Sequence, residues 1–115
     1  MRGQTKGAMF KWEVFALNIS TTQDNGKLNI ALEGRLDTTT APQLEAVLVP
    51  AFDETGDITL DFTKLGYVSS AGLRVLLTGH KTAKAKGALM AVANVPDDIM
   101  EVLEMTGFSD MLTIV

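Results

Sequence analysis

The chain contains no cysteine and only one histidine, His80. Disulfides, thiolate zinc sites and a cysteine nucleophile are therefore excluded. One histidine cannot build a multi-histidine metal site, and it leaves a serine–histidine triad with a single candidate base. The acidic residues lack the spacing of a calcium loop, and the glycines form no nucleotide fingerprint. The sequence therefore predicts neither a metal nor a cofactor.

The chain also lacks a basic excess and a long apolar stretch. Ten Lys and Arg residues stand against 14 Asp and Glu residues, which gives a net charge of −4. Nucleic-acid-binding faces usually carry the opposite balance. The apolar run Ala8 to Phe10 is too short for a signal-peptide core, and no stretch is long enough to span a bilayer. We expect a cytoplasmic protein with no nucleic-acid partner and no membrane span.

A length of 115 residues and a hydrophobic content of 46% fit one globular domain.

The first part of the sequence predicts a β-hairpin. Lys11 to Ser20 alternates loosely and predicts a strand, and Lys27 to Glu33 alternates cleanly and predicts a second one. Between them, Asp24-Asn25-Gly26 is a strong turn signal, because Asn and Gly accept positive φ at low cost.

The next elements alternate between helix and strand. Thr40 and Gln43 fit a capping box, and the helix that they open is predicted to end near Pro50. Ile58 to Phe62 is the next strand, and a loop follows it. A second helix is predicted from Ala71 to Lys86, with His80 packed inward and Gly87 as its stop.

The last third predicts a strand, a helix and a strand. Ala88 to Ala93 is a continuous run of small apolar residues, which indicates a strand buried on both faces. Pro96 opens the third helix and Gly107 ends it, and Met111 to Val115 is a short last strand. The predicted fold is α/β, with the order β-β-α-β-α-β-α-β and about three helices packed over a mixed β-sheet.

Two serines, Ser69 and Ser70, lie where the second helix begins. Free backbone N–H groups and the positive end of the helix dipole meet at such a position. A serine there can cap the helix, and an added phosphate is also favoured there. Local spacing alone does not separate these two roles.

The residues around these serines resemble the phosphorylation loop of STAS domains, in particular that of bacterial anti-sigma factor antagonists. Asp61-Phe62-Thr63 and Ser69-Ser70-Ala71-Gly72-Leu73 match one motif, and Gly34-Arg35-Leu36-Asp37 matches the family's Gly-x-Leu-Asp. Two departures occur: Ser69 stands where several members have Asp, and Ala71 where several have Ser. The resemblance covers residues 17–115 and leaves residues 1–16 as an N-terminal extension, partly flexible or forming an extra strand.

The resemblance implies that Ser70 is phosphorylated, with Ser69 as the less favoured acceptor. It implies binding to an anti-sigma factor with serine kinase activity, resetting by a serine phosphatase, and no enzymatic activity in the chain itself. The part of the surface expected to contact this partner, which we call the docking face, comprises Asp37, Thr38, Thr39, Tyr67, Ser69, Ala71 and Arg74.

Several residues have a second interpretation. Asp37 could stabilise a turn, Thr63 could be a second modification site or structural, and Arg74 could be a solvated surface residue. Tyr67 could anchor the interface or be buried against the sheet. A homodimer is left open.

We consider two other functions for the same sequence. A STAS scaffold subunit would brace a transporter ATPase without phosphorylation. A small serine hydrolase is disfavoured, because no Gly-x-Ser-x-Gly surrounds Ser70.

Overall fold

The computed structural model describes residues 16–115, and within them a mixed sheet carries helices on one face. The strands are β1 (Leu17–Asp24), β2 (Lys27–Leu36), β3 (Asp57–Val68), β4 (Leu89–Ala93) and β5 (Thr113–Ile114). The helices are α1 (Ala41–Ala51), α2 (Ser70–Lys86), α3 (Asp97–Thr106) and α4 (Phe108–Met111). The α/β class and the predicted order are confirmed, and the one-turn helix α4 is added to them.

The strands lie side by side in chain order, β1-β2-β3-β4-β5. β1 pairs with β2 antiparallel, and the other neighbours pair in parallel. The predicted hairpin turn is confirmed: Asn25 and Gly26 have φ of 54° and 82°, the left-handed values that a two-residue turn needs. Within the described residues the first strand is Leu17–Asp24, and the part of the predicted strand before residue 16 lies outside them. The predicted extension lies outside the described residues except for Ala16, so its role stays a prediction.

One face of the sheet forms the core with the helices. The strands contribute alternate residues such as Ile30, Leu60 and Val92, and the helices contribute residues such as Leu48 and Leu76. On the opposite face, Ser20, Ala31, Glu33, Asp61, Thr63 and Lys64 line a shallow open cleft together with Leu32. We call this opposite side the open face.

Four local predictions are wrong. The capping box does not form, because the Thr40 hydroxyl donates to the carbonyl of Arg35 and the Gln43 amide donates to the carbonyl of Leu17, each at 2.8 Å. The loop predicted after Phe62 is strand as far as Val68, since it pairs with β2.

The other two errors lie near the C-terminus. β4 is internal in the sheet but is not buried on both faces: Leu89 is 66% exposed, because the open face carries no helix in the part of the chain that is described. Met111 belongs to α4, and the last strand is only Thr113–Ile114. The predicted stops at Gly87 and Gly107 are confirmed, and both glycines have positive φ.

Candidate functional site

The candidate site lies where β2 and β3 end and α2 begins. The backbone N–H of Ser69 donates to the carbonyl of Leu36 at 2.9 Å, which ties the end of β2 to the start of α2. Gly72 allows this close approach: a Cβ there would lie 2.7 Å from Leu36 Cγ and 3.0 Å from Val68 Cγ2. Residues 34–37 and residues 69–73, more than 30 positions apart in the sequence, therefore meet where β2 and β3 end.

Ser69 and Ser70 have different environments. Ser69 is the N-cap of α2, with extended backbone, and its Oγ accepts a hydrogen bond from the Gly72 N–H at 3.4 Å. Ser70 is the first residue of the helix and its side chain is exposed. Of the two serines, Ser69 is therefore the one that caps the helix. The hydroxyl that remains at the positive end of the helix is that of Ser70.

The loop after β2 is organised around the carboxylate of Asp37. Asp37 Oδ1 accepts hydrogen bonds from the N–H groups of Thr39 at 3.0 Å and Thr40 at 3.1 Å, and from the Thr40 hydroxyl at 3.2 Å. The other oxygen, Oδ2, lies 3.6 Å from Nε of Arg35. Asp37 therefore stabilises the turn in the folded chain, and its role in binding stays a prediction.

These contacts also change the acidity of Asp37. The hydrogen bond from the Thr40 N–H contributes most to holding the pKa of this carboxyl below its ordinary value of 3.8. The Thr39 N–H, the Thr40 hydroxyl and the Arg35 charge add to it, while desolvation opposes them. Asp37 is thus a carboxylate at neutral pH, and its negative charge is paired with the guanidinium of Arg35.

Tyr67 and Arg35 form the side of the site that faces away from the helices. The two residues are cross-strand partners, and Cζ of Arg35 lies 4.1 Å from the centroid of the Tyr67 ring. Tyr67 is 40% exposed. The structure therefore supports neither burial of Tyr67 against the sheet nor a free side chain. Sequence reasoning missed Arg35, because the position between Gly34 and Leu36 carried no signal.

The remaining docking-face residues are grouped around this edge. Thr38 and Thr39 are exposed in the loop, Ala71 is half-buried, and Arg74 is exposed one turn into α2. Among residues 16–115, Arg74 forms no ion pair.

Two other residues lie away from the serines. Thr63 is six residues before Ser69 on β3, about 20 Å along an extended strand. Its hydroxyl donates to Asp61 Oδ1 at 2.6 Å, and that oxygen also accepts hydrogen bonds from the Thr63 N–H and from the Asn94 amide. These bonds, with that of the Thr63 hydroxyl first, lower the pKa of Asp61.

His80 is half-buried in α2. It lies ten residues after Ser70, about 15 Å along the same helix, which is too far for it to act as the base of Ser70. The part of the chain covered by the structure, residues 16–115, holds no group of three potential metal ligands. None of its helices is long and apolar enough to cross a membrane.

Comparison with known proteins gives one consistent family. Residues 19–113 match a family model described as "Mlab, STAS domain". An anti-sigma-B factor antagonist of Staphylococcus aureus (strain NCTC 8325 / PS 47) is 32% identical over 97 residues, which cover 84% of this chain and 90% of that protein. One of the same name from Bacillus subtilis (strain 168) is 24% identical over 98 residues, which cover 85% and 90%.

Solved structures share the fold. The Bacillus protein SpoIIAA in its phosphorylated form has a TM-score of 0.68 at 18% identity, covering 85% of this chain and 91% of that chain. The anti-sigma factor antagonist SpoIIAA in its unphosphorylated form has a TM-score of 0.69 at 18% identity, covering 85% and 87%.

Proposed function

The chain belongs to the STAS domain family, and from that premise we propose that it is an anti-sigma factor antagonist. In its unphosphorylated form it binds an anti-sigma factor through the docking face, and a phosphate on Ser70 ends that binding. The observation that carries the proposal is the exposed Ser70 hydroxyl at the start of α2, beside the Asp37 loop and next to a serine already used as the cap. The relatives named anti-sigma-B factor antagonist support it.

The partner supplies the chemistry. The anti-sigma factor is a serine kinase that binds ATP and phosphorylates Ser70. A separate serine phosphatase removes the phosphate. The chain itself catalyses nothing and acts in the cytoplasm. The family resemblance supports these roles, and so does the distance of about 15 Å between Ser70 and His80 along α2, which leaves Ser70 without its own histidine base.

The switch acts through charge. A phosphate adds roughly −1.5 to −2 charge units at neutral pH, and the free N–H groups at the start of α2 can receive it. Ser70 is exposed, and its neighbour Ser69 donates a hydrogen bond to Leu36, the residue before Asp37. The added charge therefore makes the potential of the docking face more negative. Desolvating that charge against a partner is costly.

The test is the affinity for the anti-sigma factor of the same organism, measured by isothermal titration calorimetry. We expect Ser70→Ala to bind like the wild type and Ser70→Asp to bind at least tenfold more weakly, a change of about 1.4 kcal/mol. Ser20→Asp is the matched control, because it adds the same charge to an exposed serine of β1. Full affinity of Ser70→Asp, or equal losses in both Asp variants, would contradict the switch.

A second candidate function is a scaffold subunit that braces a transporter ATPase and is not phosphorylated. The observation that favours it is the description of the matching family model, "Mlab, STAS domain". Co-purification with a transporter ATPase, together with full function of Ser70→Ala in the cell, would support the scaffold over the antagonist.

A further inference from the structure

Arg35 connects three segments of the chain through its backbone. It is the second-to-last residue of β2, and the pairing of β2 with β3 shifts register between Gly34 and Arg35. Its N–H donates to the carbonyl of Ala16 at 3.5 Å, and its carbonyl accepts the Thr40 hydroxyl at 2.8 Å. The backbone of Arg35 is therefore held from both sides, by the residue before β1 and by the residue before α1.

The side chain of Arg35 connects two residues of the docking face. Its guanidinium lies over the Tyr67 ring, with 4.1 Å from Cζ to the ring centroid, and its Nε lies 3.6 Å from Asp37 Oδ2. Tyr67 is the second-to-last residue of β3 and Asp37 follows β2, so the two are 30 positions apart in the sequence. One planar, permanently charged group thus contacts an aromatic face and a carboxylate at once, which a flexible ammonium group cannot do equally well.

This arrangement matters for binding because Tyr67 is half-exposed and would otherwise be free to rotate. A partner that binds a mobile tyrosine must order it first, and that ordering reduces affinity. Tyrosine and arginine are also enriched among the residues that dominate binding energy at interfaces. The side chain of Arg35 is itself 40% exposed, so the whole cluster is accessible from solvent.

We propose that Arg35 is a positioning residue of the docking face: it holds the Tyr67 ring and the Asp37 loop in the arrangement that the anti-sigma factor binds. The inference rests on the proposed function for the identity of the partner. It gives a role to Arg35, which occupies the unspecified position x of the Gly-x-Leu-Asp motif.

The first experiment uses the free protein. Arg35→Gln removes the guanidinium and keeps a polar side chain, and Lys27→Gln removes one positive charge from the exposed start of the same strand, about 26 Å away. NMR of the Tyr67 ring should show a changed chemical shift and faster ring motion in Arg35→Gln, and no change in Lys27→Gln. An unchanged ring signal in Arg35→Gln overturns the inference.

The second experiment measures affinity for the anti-sigma factor. Arg35→Gln should bind about fivefold more weakly than the wild type, a size within the cost of ordering one side chain on binding, and Lys27→Gln should bind normally. In a Tyr67→Ala background the effect of Arg35→Gln should shrink below twofold, because Arg35 acts through Tyr67. Full additivity of the two substitutions overturns the positioning role.

The two experiments separate this inference from the proposed function. If the Tyr67 ring moves in Arg35→Gln but the wild-type protein binds no anti-sigma factor, the proposed function fails while the positioning of Tyr67 by Arg35 stands. If the wild type binds and Arg35→Gln binds equally well, the proposed function stands and the inference fails.

Discussion

Ser69 Oγ accepts a hydrogen bond from the Gly72 N–H at 3.4 Å, which makes Ser69 the cap of α2 and leaves the neighbouring Ser70 hydroxyl exposed to solvent. Two adjacent residues of the same type thus have separate tasks in the folded chain. The cap satisfies one of the helix's free N–H groups, and the other serine is accessible to a modifying enzyme.

This division predicts unequal effects of two alanine substitutions on stability. Ser69→Ala should lower the free energy of unfolding by about 0.5–1 kcal/mol, the lower part of the range for a lost N-cap, because the hydrogen bond is long. Ser70→Ala should change it by less than about 0.5 kcal/mol, as expected for an exposed position. Urea denaturation of both variants measures this difference, and a larger loss in Ser70→Ala would show that the cap is misassigned.

Asp37 should act on phosphorylation through the shape of its loop. Asp37→Ala removes the acceptor of three hydrogen bonds, so the Thr39 and Thr40 amides should exchange faster and Ser70 should be phosphorylated several-fold more slowly while the fold stays intact. Asp37→Asn keeps the Oδ1 acceptor and should retain most of the phosphorylation rate. A global loss of structure in Asp37→Ala, measured by circular dichroism, would contradict this role.

Gly72 should tolerate no side chain. An added Cβ would lie 2.7 Å from Leu36 Cγ and 2.9 Å from the Leu36 carbonyl oxygen, so Gly72→Ala should destabilise the fold by about 1–3 kcal/mol. Gly56→Ala is the matched control, since its Cβ would meet nothing within 4 Å. Urea denaturation of the two variants tests the close contact between β2 and α2, and equal stability of the variants would show that the contact is loose.

Acid should weaken the fold through Asp37 and Asp61. Hydrogen bonds lower the pKa of both carboxyls below 3.8 in the folded chain, so the unfolded chain binds more protons as the pH falls toward that value. The stability that they contribute is fully present well above pH 3.8 and is lost as the pH falls through the folded pKa values. The urea midpoint of Asp61→Asn, measured from pH 6 to pH 3, should therefore fall less steeply than that of the wild type. Parallel curves would contradict this linkage.

The elements that the sequence predicts well are those set by neighbouring residues. Asn25-Gly26 fixes the hairpin turn because both residues accept positive φ, and Gly87 and Gly107 end helices for the same reason. The helix start at the two serines is likewise a local signal. The family motifs then assigned Asp37 and the serines to one site. The hydrogen bond from the Ser69 N–H to the Leu36 carbonyl shows that the segments carrying them are neighbours.

The predictions that are wrong concern residues whose structure depends on contacts with residues far away in the sequence. The second half of β3 was predicted as a loop because its strand state depends on pairing with β2, such as Leu65 opposite Gly34. Thr40 fits a capping box, but its hydroxyl bonds to the Arg35 carbonyl instead. The contact between Arg35 and Tyr67 depends on a register shift between β2 and β3, and no pattern in the sequence predicts that shift.

The most direct test of the account is intact-mass analysis of the protein before and after incubation with the anti-sigma factor kinase of its own organism and ATP, followed by mapping of the phosphate. We expect one added phosphate, located on Ser70, which is present in Ser69→Ala and lost in Ser70→Ala. No phosphate on the wild-type chain, from a kinase that modifies its known substrate in the same assay, would contradict it, as would a phosphate on another residue.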